Sequence, residues 1–453
     1  MLSTFDERKP SARSLLGLAM SIYGRISVFA FSYTLSRLLF ALVLIPPYLV
    51  KISFQVLPTI LNNASCLLSA KGLGRLVTDT ARYRAHAQHI AKQQLDGTFV
   101  FSEADLHRGV NKWTDQLQWA DKTEEFTVCG ATVRFVHLKP SHDAEFGSNG
   151  IAPRHPIVFL HGNPSWTYMW RNVIPPLVDQ GHEVYAIDWL GHGRSDKIAV
   201  PELCNFELHM RTLREFFSFT DLKNATVVAH DWGGCIALCT LPSLPHGTCT
   251  GLFLLDTFLP PRVSEMSLHC GLLYVIWFLT GGILGRYIPE PAIMYFMYPH
   301  IALSDVEAYA APYREMPISA KSSVFRFGHI VPGTPRTVLQ SVRYKKFWKI
   351  LEGLCGPKNF DILDAQSRLA MLDDKTREFW GRGANKSYLK TVIAFGSNDP
   401  LLIDYKDILL ETINARLMVD WAVNGIWLAG GGHYPTEDKP EHIANLVSRL
   451  AYS

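Results

Sequence analysis

The sequence predicts an α/β protein built on a mostly parallel, eight-stranded sheet flanked by helices. After residue 123, short β-branched runs alternate with helical stretches, and each run ends at a loop that carries polar side chains. This alternation is expected where helices cover a parallel sheet. The predicted strands are 126–128, 132–136, 156–160, 184–188, 226–229, 252–255, 391–395 and 425–429. In such sheets ligand chemistry gathers beyond the carboxyl ends of the strands, so the residues just after each run are the candidates for function.

Interruptions of this alternation divide the chain into six predicted regions. The core comes in two parts, separated by an aromatic- and proline-rich stretch that we interpret as a helical cap inserted after the sixth strand. An insertion without an assigned role follows the cap. The predicted regions are an N-terminal apolar segment (1–55), a helical connecting segment (56–122), the first part of the core (123–259), the cap (260–336), the insertion (337–374) and the second part of the core (375–453).

Composition excludes several classes of protein. With 44 basic and 41 acidic side chains the formal charge is +3, too balanced for a nucleic-acid footprint, and no nucleic-acid partner is predicted. The eight cysteines are scattered without C-x-x-C pairs, which favours free thiols in a reducing compartment. This spacing predicts neither a zinc site nor a redox motif.

The segment 26–50 predicts contact with a membrane. Its only formal charge is Arg37, and it is apolar up to Pro46 and Pro47. It approaches the roughly 20 apolar residues that a spanning helix needs. A charge at mid-helix costs about 2.5–3.5 kcal/mol, so an in-plane anchor or a re-entrant hairpin competes with a true span. The alternative is an extra amphipathic helix packed on the rest of the protein.

Flanking charges give the expected orientation. Lys9, Arg13 and Arg25 precede the apolar run, which favours a cytoplasmic N-terminus if the run spans. We expect a membrane-associated protein with a cytoplasmic catalytic domain. A second uncharged stretch, 268–284, is an alternative membrane segment, although its position within the alternating pattern favours a cap helix.

One six-residue stretch, Ala-His-Asp-Trp-Gly-Gly at 229–234, indicates the chemistry. It follows an apolar run and fits the nucleophile elbow, a sharp strand-to-helix turn that usually exposes a serine. Here the exposed position is Asp231, and Ala229 replaces the first glycine of the pattern. A carboxylate nucleophile forms an alkyl ester at sp³ carbon, which points away from proteases and lipases.

Three further loops supply partners for this carboxylate. His-Gly-Asn-Pro follows the third run, Gly-Ser-Asn-Asp-Pro follows the seventh, and Gly-Gly-His-Tyr-Pro follows the eighth. The order of nucleophile, acid and histidine along the chain is that of α/β-hydrolases. It predicts the catalytic residues Asp231, Asp399 and His433, with Asp256 after the sixth run as the alternative acid. Asp188 and Asp196 are interpreted as turn-forming residues.

At these loops the chain resembles the haloalkane dehalogenases. The strings HGNPSWTYMWRNVIPPL, DWLGHGRSDK, HDWGG and GGHYPTEDKPEHIA are similar to motifs of that family, in its order. The resemblance covers about 120–335 and 374–452 and implies an α/β-hydrolase fold. Epoxide hydrolases share the Asp-Trp-Gly elbow and the order of the triad, so they are the nearest alternative.

The resemblance assigns Asn163 and Trp232 to the leaving group. Displacing halide requires donors for a developing anion, and a carboxamide and an indole N–H provide two. Dehalogenases use this pair, and the backbone N–H groups of the same two residues would form the oxyanion hole. The alternatives are a packing role for Trp232 and a turn-holding role for Asn163. Epoxide hydrolases instead protonate the oxygen with two cap tyrosines, for which this chain offers Tyr295, Tyr298, Tyr309 and Tyr313.

The implied reaction has two displacements. Asp231 attacks the halogen-bearing carbon, and His433, oriented by Asp399, then activates a water that cleaves the ester. Halide, alcohol and a proton are the products, the substrate is a small apolar haloalkane or epoxide, and no metal or organic cofactor is required. The alternatives are an epoxide hydrolase and a membrane-tethered protein that keeps the fold without turnover.

Overall fold

The computed structural model describes residues 90–140, 154–260, isolated positions between 265 and 277, 290–298, 300–330, 363–382 and 389–452. All of them belong to the second of the two units into which the chain divides, Pro58–Ser453. The predicted membrane segment 26–50 and most of the stretch 268–284 lie outside the described residues.

The described strands form one large sheet and one small one. They are β1 (Leu106–His107), β2 (Thr123–Val128), β3 (Ala131–Leu138), β4 (Ile157–Leu160), β5 (Val184–Ile187), β6 (Lys197–Ile198), β7 (Ala225–Asp231), β8 (Cys249–Thr257), β9 (Lys390–Gly396) and β10 (Ile426–Leu428). The large sheet has the order β10-β9-β8-β7-β4-β5-β3-β2. Its β2–β3 and β3–β5 pairs are antiparallel and the other pairs are parallel. The predicted eight-stranded, mostly parallel sheet is confirmed.

Burial explains the composition of these strands. Every residue of β4, β5 and β7 is buried, because helices cover both faces of the central sheet, and such strands read as continuous apolar runs. Successive residues of β4 enter different cores, Val158 and Leu160 on one face and Ile157 and Phe159 on the other. The edge strand β2 is exposed at three of its six positions.

Helices fill the connections between the strands. The α-helices are Ile174–Asp179, Phe206–Thr220, Trp232–Thr240, Glu290–Met297, Leu303–Ala310, Ser322–Arg326, Leu363–Arg382, Tyr405–Thr412, Pro435–Asp438 and Pro440–Ala451. Short 3₁₀ turns occupy Glu103–Asp105, Ala120–Lys122, Thr167–Trp170, Pro201–Leu203, Leu241–Ser243, Ala311–Tyr313, Ile318–Lys321, Phe327–His329, Ala415–Leu417 and Asp420–Ala422. The helix Phe206–Thr220 begins where the Asn205 side chain accepts the Leu208 N–H at 2.9 Å, an N-cap.

Two regions differ from their predicted outlines. The helix Leu363–Arg382 runs through 374, where the insertion is predicted to end. Its C-terminal half packs on the core, since Trp380 is buried and donates from Nε1 to Leu238 O at 2.9 Å. Within the predicted helical segment 56–122, the described part is helical at 90–96 and in two short 3₁₀ turns. Gly97, at φ 76°, follows that helix, and β1 pairs with β6 beyond it.

Arg171, whose side chain is 10% exposed, links a helix between β8 and β9 to the core. Arg171 contacts Glu437 at 2.7 Å and Asp305, on the helix Leu303–Ala310, at 3.0 Å. The Tyr309 hydroxyl donates to the same glutamate at 2.6 Å. This network joins the end of the 3₁₀ turn Thr167–Trp170 to the helices Leu303–Ala310 and Pro435–Asp438. Among the described residues, none of the helices combines the length and the apolar character needed to cross a bilayer.

Candidate active site

Asp231 lies at the sharp turn between β7 and the helix Trp232–Thr240. Its backbone has φ 50° and ψ −120°, a conformation that is uncommon for a residue with a β-carbon. Strained backbone of this kind occurs where surrounding structure holds it in place. The hold is close packing, because a β-carbon at Gly233 would overlap the carbonyl oxygens of Leu160 and His161. The turn therefore presents the carboxylate at the carboxyl end of the sheet.

Two backbone donors hold the Asp231 carboxylate. The Asn163 N–H donates to Oδ1 at 2.9 Å, and the Trp232 N–H is the second donor. The loop can come this close because Gly162 has no side chain, and a β-carbon there would overlap the carboxylate. Burial raises the pKa of Asp231, although the nearby His433 and the two N–H groups oppose this shift.

His433 lies between two carboxylates. Its Nδ1 is 3.0 Å from Asp399 Oδ2, and its Nε2 is 3.7 Å from Asp231 Oδ2. Within the described part of the chain, Nε2 is buried and has no hydrogen-bond partner. Burial lowers the pKa of His433, but the charge and hydrogen bond of Asp399 outweigh it, and the net shift is upward. The imidazole is thus oriented with its free nitrogen toward the nucleophile.

Of the two candidate acids, Asp399 is the one that contacts His433. Its Oδ1 accepts the backbone N–H groups of Leu401 and Leu402 at 2.8 and 3.2 Å, which leaves Oδ2 for the imidazole. Burial opposes ionisation of Asp399, but His433 and these N–H groups lower its pKa. The carboxylate is held as an anion beside the histidine.

Asp256, the alternative acid, is held differently. Its Oδ1 accepts the Gly396 N–H at 2.8 Å, and its backbone has φ 40°. Burial, followed by the charge of Asp399, raises its pKa well above the ordinary value. Its carboxyl group supports the end of β9, beyond which Asp399 lies.

The Asn163 side chain has one engaged edge and one free edge. Its Oδ1 is 3.0 Å from His192 Nε2. Nδ2 is buried and unpaired, as far as the described residues extend. The Trp232 ring is also buried, with edge contacts to Phe258 at 5.1 Å and Phe327 at 4.9 Å between centroids. The carboxamide can therefore donate to a ligand at the site.

Two buried histidines of the site are absent from the sequence-based set. His192 contacts Asn163, and His230 Nε2 donates to the His433 carbonyl at 2.7 Å, which fixes the loop carrying the base. Both lie inside the quoted motifs, one in DWLGHGRSDK and one directly before Asp231. Their positions within those motifs were the available signal. Asp188 caps its loop by accepting the Thr167 and Arg194 N–H groups at 2.8 and 2.9 Å, consistent with a turn-forming role.

The candidate tyrosines differ in their availability as proton donors. The hydroxyl of Tyr298 donates to Asp438 at 2.8 Å, that of Tyr309 to Glu437 at 2.6 Å, and that of Tyr313 to Gly191 O at 2.9 Å. Each of these protons is engaged by an acceptor other than Asp231. Tyr295 is half-buried and packs against the core. Three of the four candidate tyrosines therefore have hydroxyl protons that are engaged elsewhere.

The assembled groups suit nucleophilic substitution followed by hydrolysis. A buried carboxylate supplies the nucleophile, a histidine–aspartate pair supplies a base, and backbone and carboxamide N–H groups supply donors. Among the described residues, no group of three or more His, Cys, Asp and Glu side chains is arranged to hold a metal ion.

Comparison with known proteins agrees with this architecture. The family model described as the α/β-hydrolase fold matches residues 155–274. The chain has the α/β-hydrolase fold. Among solved structures, the haloalkane dehalogenase DpaA from Paraglaciecola agarilytica has a TM-score of 0.57 at 20% identity, covering 77% of this chain and 98% of that one. DbeA from Bradyrhizobium elkani has a TM-score of 0.53 at 18% identity, with 73% and 97% covered.

Curated relatives confirm the resemblance to haloalkane dehalogenases. Haloalkane dehalogenase 1 of Mycobacterium tuberculosis is 32% identical to this chain over 185 residues, 40% of the chain and 58% of that protein. The haloalkane dehalogenase of Psychrobacter cryohalolentis is 36% identical over 108 residues, 23% of the chain and 36% of that protein. The chain thus spans just over half the length of the first of these relatives.

Proposed function

We propose that the chain hydrolyses the carbon–halogen bond of small apolar haloalkanes through an alkyl ester on Asp231. The observation that carries this proposal is the set of groups around one carboxylate. Asp231 has two backbone donors, an unpaired histidine nitrogen at 3.7 Å and a neighbouring carboxamide whose N–H₂ group is unpaired among the described residues. The curated relatives that the chain matches in sequence are named haloalkane dehalogenases.

The first step is displacement of halide at carbon. Asp231 Oδ1 is held by the Asn163 N–H, so the second oxygen, Oδ2, is the freer nucleophile. A C–O bond forms as the C–halogen bond breaks, and the halide leaves with the bonding electron pair. The Asn163 Nδ2 and Trp232 Nε1 groups are the proposed donors to this anion. Donors already in place when charge develops lower the barrier without reorganisation.

The second step is hydrolysis of the ester. His433 Nε2 takes a proton from a water that attacks the Asp231 carbonyl carbon, and Asp399 stabilises the resulting imidazolium. Negative charge then develops on Oδ1, which the Asn163 N–H already contacts, and the Trp232 N–H is the second backbone donor to the Asp231 carboxylate. Collapse releases the alcohol and restores the carboxylate. The sum is halide, alcohol and one proton per water consumed.

Epoxide hydrolysis uses the same nucleophile and base but adds a requirement. The opening epoxide needs a proton donor for its oxygen, the role of two cap tyrosines in epoxide hydrolases. The hydroxyl protons of Tyr298, Tyr309 and Tyr313 are engaged elsewhere. The unpaired Asn163 amide suits an anion that leaves without a proton. These two observations favour halide over epoxide.

The test is product analysis on the purified full chain. With 1-bromobutane or 1,2-dibromoethane we expect bromide and alcohol in equal amounts, and no release from an Asp231→Ala variant. Diol formation from styrene oxide, with no bromide from either halide, would assign the protein to the epoxide hydrolases instead.

We also propose that residues 1–55 attach the protein to a membrane, on the strength of the apolar segment 26–50. Deletion of these residues should abolish pelleting with membranes. A full-length protein that stays in the supernatant would overturn the attachment and leave the proposed reaction unaffected.

A further inference from the structure

The direction of the Asn163 carboxamide depends on one contact. Its Oδ1 is 3.0 Å from His192 Nε2, while Nδ2 is buried without a partner in the described part of the structure. The Asn163 backbone is fixed by its N–H bond to Asp231. A carboxamide has a donor edge and an acceptor edge, and a half-turn of the side-chain amide exchanges them. Whatever engages one edge decides which edge a ligand at Asp231 would meet.

His192 engages the acceptor edge because of where its single proton lies. Burial lowers its pKa well below the ordinary value, so the ring is neutral and carries one N–H. Nδ1 is 3.4 Å from Leu190 O, beyond good hydrogen-bond length, whereas Nε2 is 3.0 Å from Asn163 Oδ1. We therefore place the proton on Nε2, where it makes the shorter of the two contacts, the one to Asn163 Oδ1. The ring then donates to Oδ1 and cannot accept from Nδ2.

The structure around His192 leaves the ring little freedom. It is fully buried and meets the Phe327 ring edge-on at 5.2 Å. Phe327 in turn packs against Trp232 at 4.9 Å, so one aromatic side chain supports both proposed leaving-group donors. Lys197 Nζ donates to the carbonyls of Gly193 and Ser195 at 2.7 and 2.6 Å, which fixes the loop carrying the ring. The imidazole can therefore act as a rigid reference for the amide.

We propose that His192 is a positioning residue that holds the N–H₂ edge of Asn163 toward the leaving group, and that it biases the site toward small, charge-dense anions. This inference rests on the proposed halide displacement. Chloride concentrates its charge more than iodide and is the poorer leaving group, so it gains more from a fixed N–H donor. His192 should matter most for chlorinated substrates.

Three variants separate positioning from packing. His192→Phe keeps a ring against Phe327 and removes the donor to Asn163. His192→Gln places a side-chain N–H₂ near the position of Nε2 and should restore the contact. The matched control is His209→Phe, because His209 is also fully buried and packs on Phe327 at 4.9 Å, while its polar contact is Cys204 Sγ at 3.6 Å. Thermal melts of all three verify folding.

The first readout is the rate of the halide burst with 1-chlorobutane and 1-iodobutane. Loss of a buried hydrogen bond that leaves the acceptor unpaired corresponds to about a tenfold to hundredfold effect. We expect His192→Phe to slow chloride release by that factor and iodide release by only about threefold. His192→Gln should recover most of the loss, and His209→Phe should leave the chloride-to-iodide ratio unchanged. An equal effect of His192→Phe on both halides, or no rescue by glutamine, overturns the inference.

The second readout is binding of bromide to the resting protein. It is monitored through the change in tryptophan fluorescence, which Trp232→Phe should abolish. Binding that weakens in His192→Phe and recovers in His192→Gln supports the inference even if the chain turns over no haloalkane, in which case the proposed function alone fails. If the wild type turns over haloalkanes and His192→Phe binds bromide as tightly as the wild type, the inference is overturned and the proposed function stands. If the wild type shows neither turnover nor bromide binding, the proposed function and the inference are both overturned.

Discussion

Replacing the acid of the proposed triad should separate the two halves of the proposed reaction. In Asp399→Asn the carboxylate that is 3.0 Å from His433 Nδ1 becomes a neutral amide. The imidazole then loses the anion that stabilises its protonated form and can take the wrong tautomer. The attack by Asp231 on carbon requires neither a protonated imidazole nor a particular tautomer. Formation of the alkyl ester should therefore survive in Asp399→Asn while its hydrolysis stalls.

The size of the expected loss in hydrolysis rate follows from the buried hydrogen bond between Asp399 and His433. A hydrogen bond to a charged group contributes about 1.5–3 kcal/mol, which corresponds to about 10- to 150-fold in rate. Reversal of the tautomer adds to this, and the same change in a serine-protease triad costs about 10⁴-fold. We therefore expect hydrolysis to slow by about 10²- to 10⁴-fold and the halide-releasing step by less than about tenfold.

Rapid-quench measurement of bromide from 1,2-dibromoethane is the assay. Asp399→Asn should give a burst of about one bromide per protein followed by a very slow phase. The matched control is Asp256→Asn, since Asp399 rather than Asp256 contacts His433, burial raises the pKa of Asp256 well above its ordinary value, and asparagine is a neutral replacement of the same shape. It should keep turnover within about tenfold of wild type. A burst without turnover in Asp256→Asn, together with normal turnover in Asp399→Asn, would refute the assignment of the acid.

Two further predictions test the electrostatics and the attachment of the cap. Because Asp399 raises the pKa of His433 above its ordinary 6.5 despite burial, the base is protonated and inactive below that raised value, so steady-state turnover should fall as pH drops through a midpoint above 6.5. The bromide burst should persist to lower pH, and loss of both together would contradict this account. Arg171→Met should lower the free energy of unfolding by about 3 kcal/mol, because it leaves Glu437, whose side chain is only 5% exposed, without its cation. The comparison is Lys223→Met, which removes an exposed ion pair and should be nearly neutral in the same urea titration, and equal stabilities of the two variants would contradict the prediction.

The large sheet was predictable because its strands are long enough to show a pattern. β4, β5 and β7 are buried on both faces, so each appears in the sequence as an unbroken apolar run. The two-residue strands β1 and β6 contain no such period and were missed. The predicted boundary at 374 falls inside the helix Leu363–Arg382, whose packing depends on Trp380 reaching Leu238 O.

The site was predictable in outline from the order of its loops. Parallel strands bring their carboxyl ends to one edge, so Asp231, Asp399 and His433 are adjacent once the strand order is known. Spacing alone left the acid undecided, since Asp256 also follows a strand of this sheet. The contact between His192 and Asn163 depends on side-chain rotamers and a tautomer, which no pattern of residue types contains.

Trapping the covalent intermediate tests the central claim most directly. A His433→Gln variant keeps the nucleophile and its donors but lacks the base, so incubation with 1-bromobutane should replace one proton by one butyl group. Mass spectrometry of a protease digest should place the butyl group on the peptide containing Asp231, with one bromide released per protein. No adduct on that peptide across chlorinated, brominated, iodinated and epoxide substrates, in a variant that melts like the wild type, would contradict a carboxylate nucleophile and favour a hydrolase-fold protein without turnover.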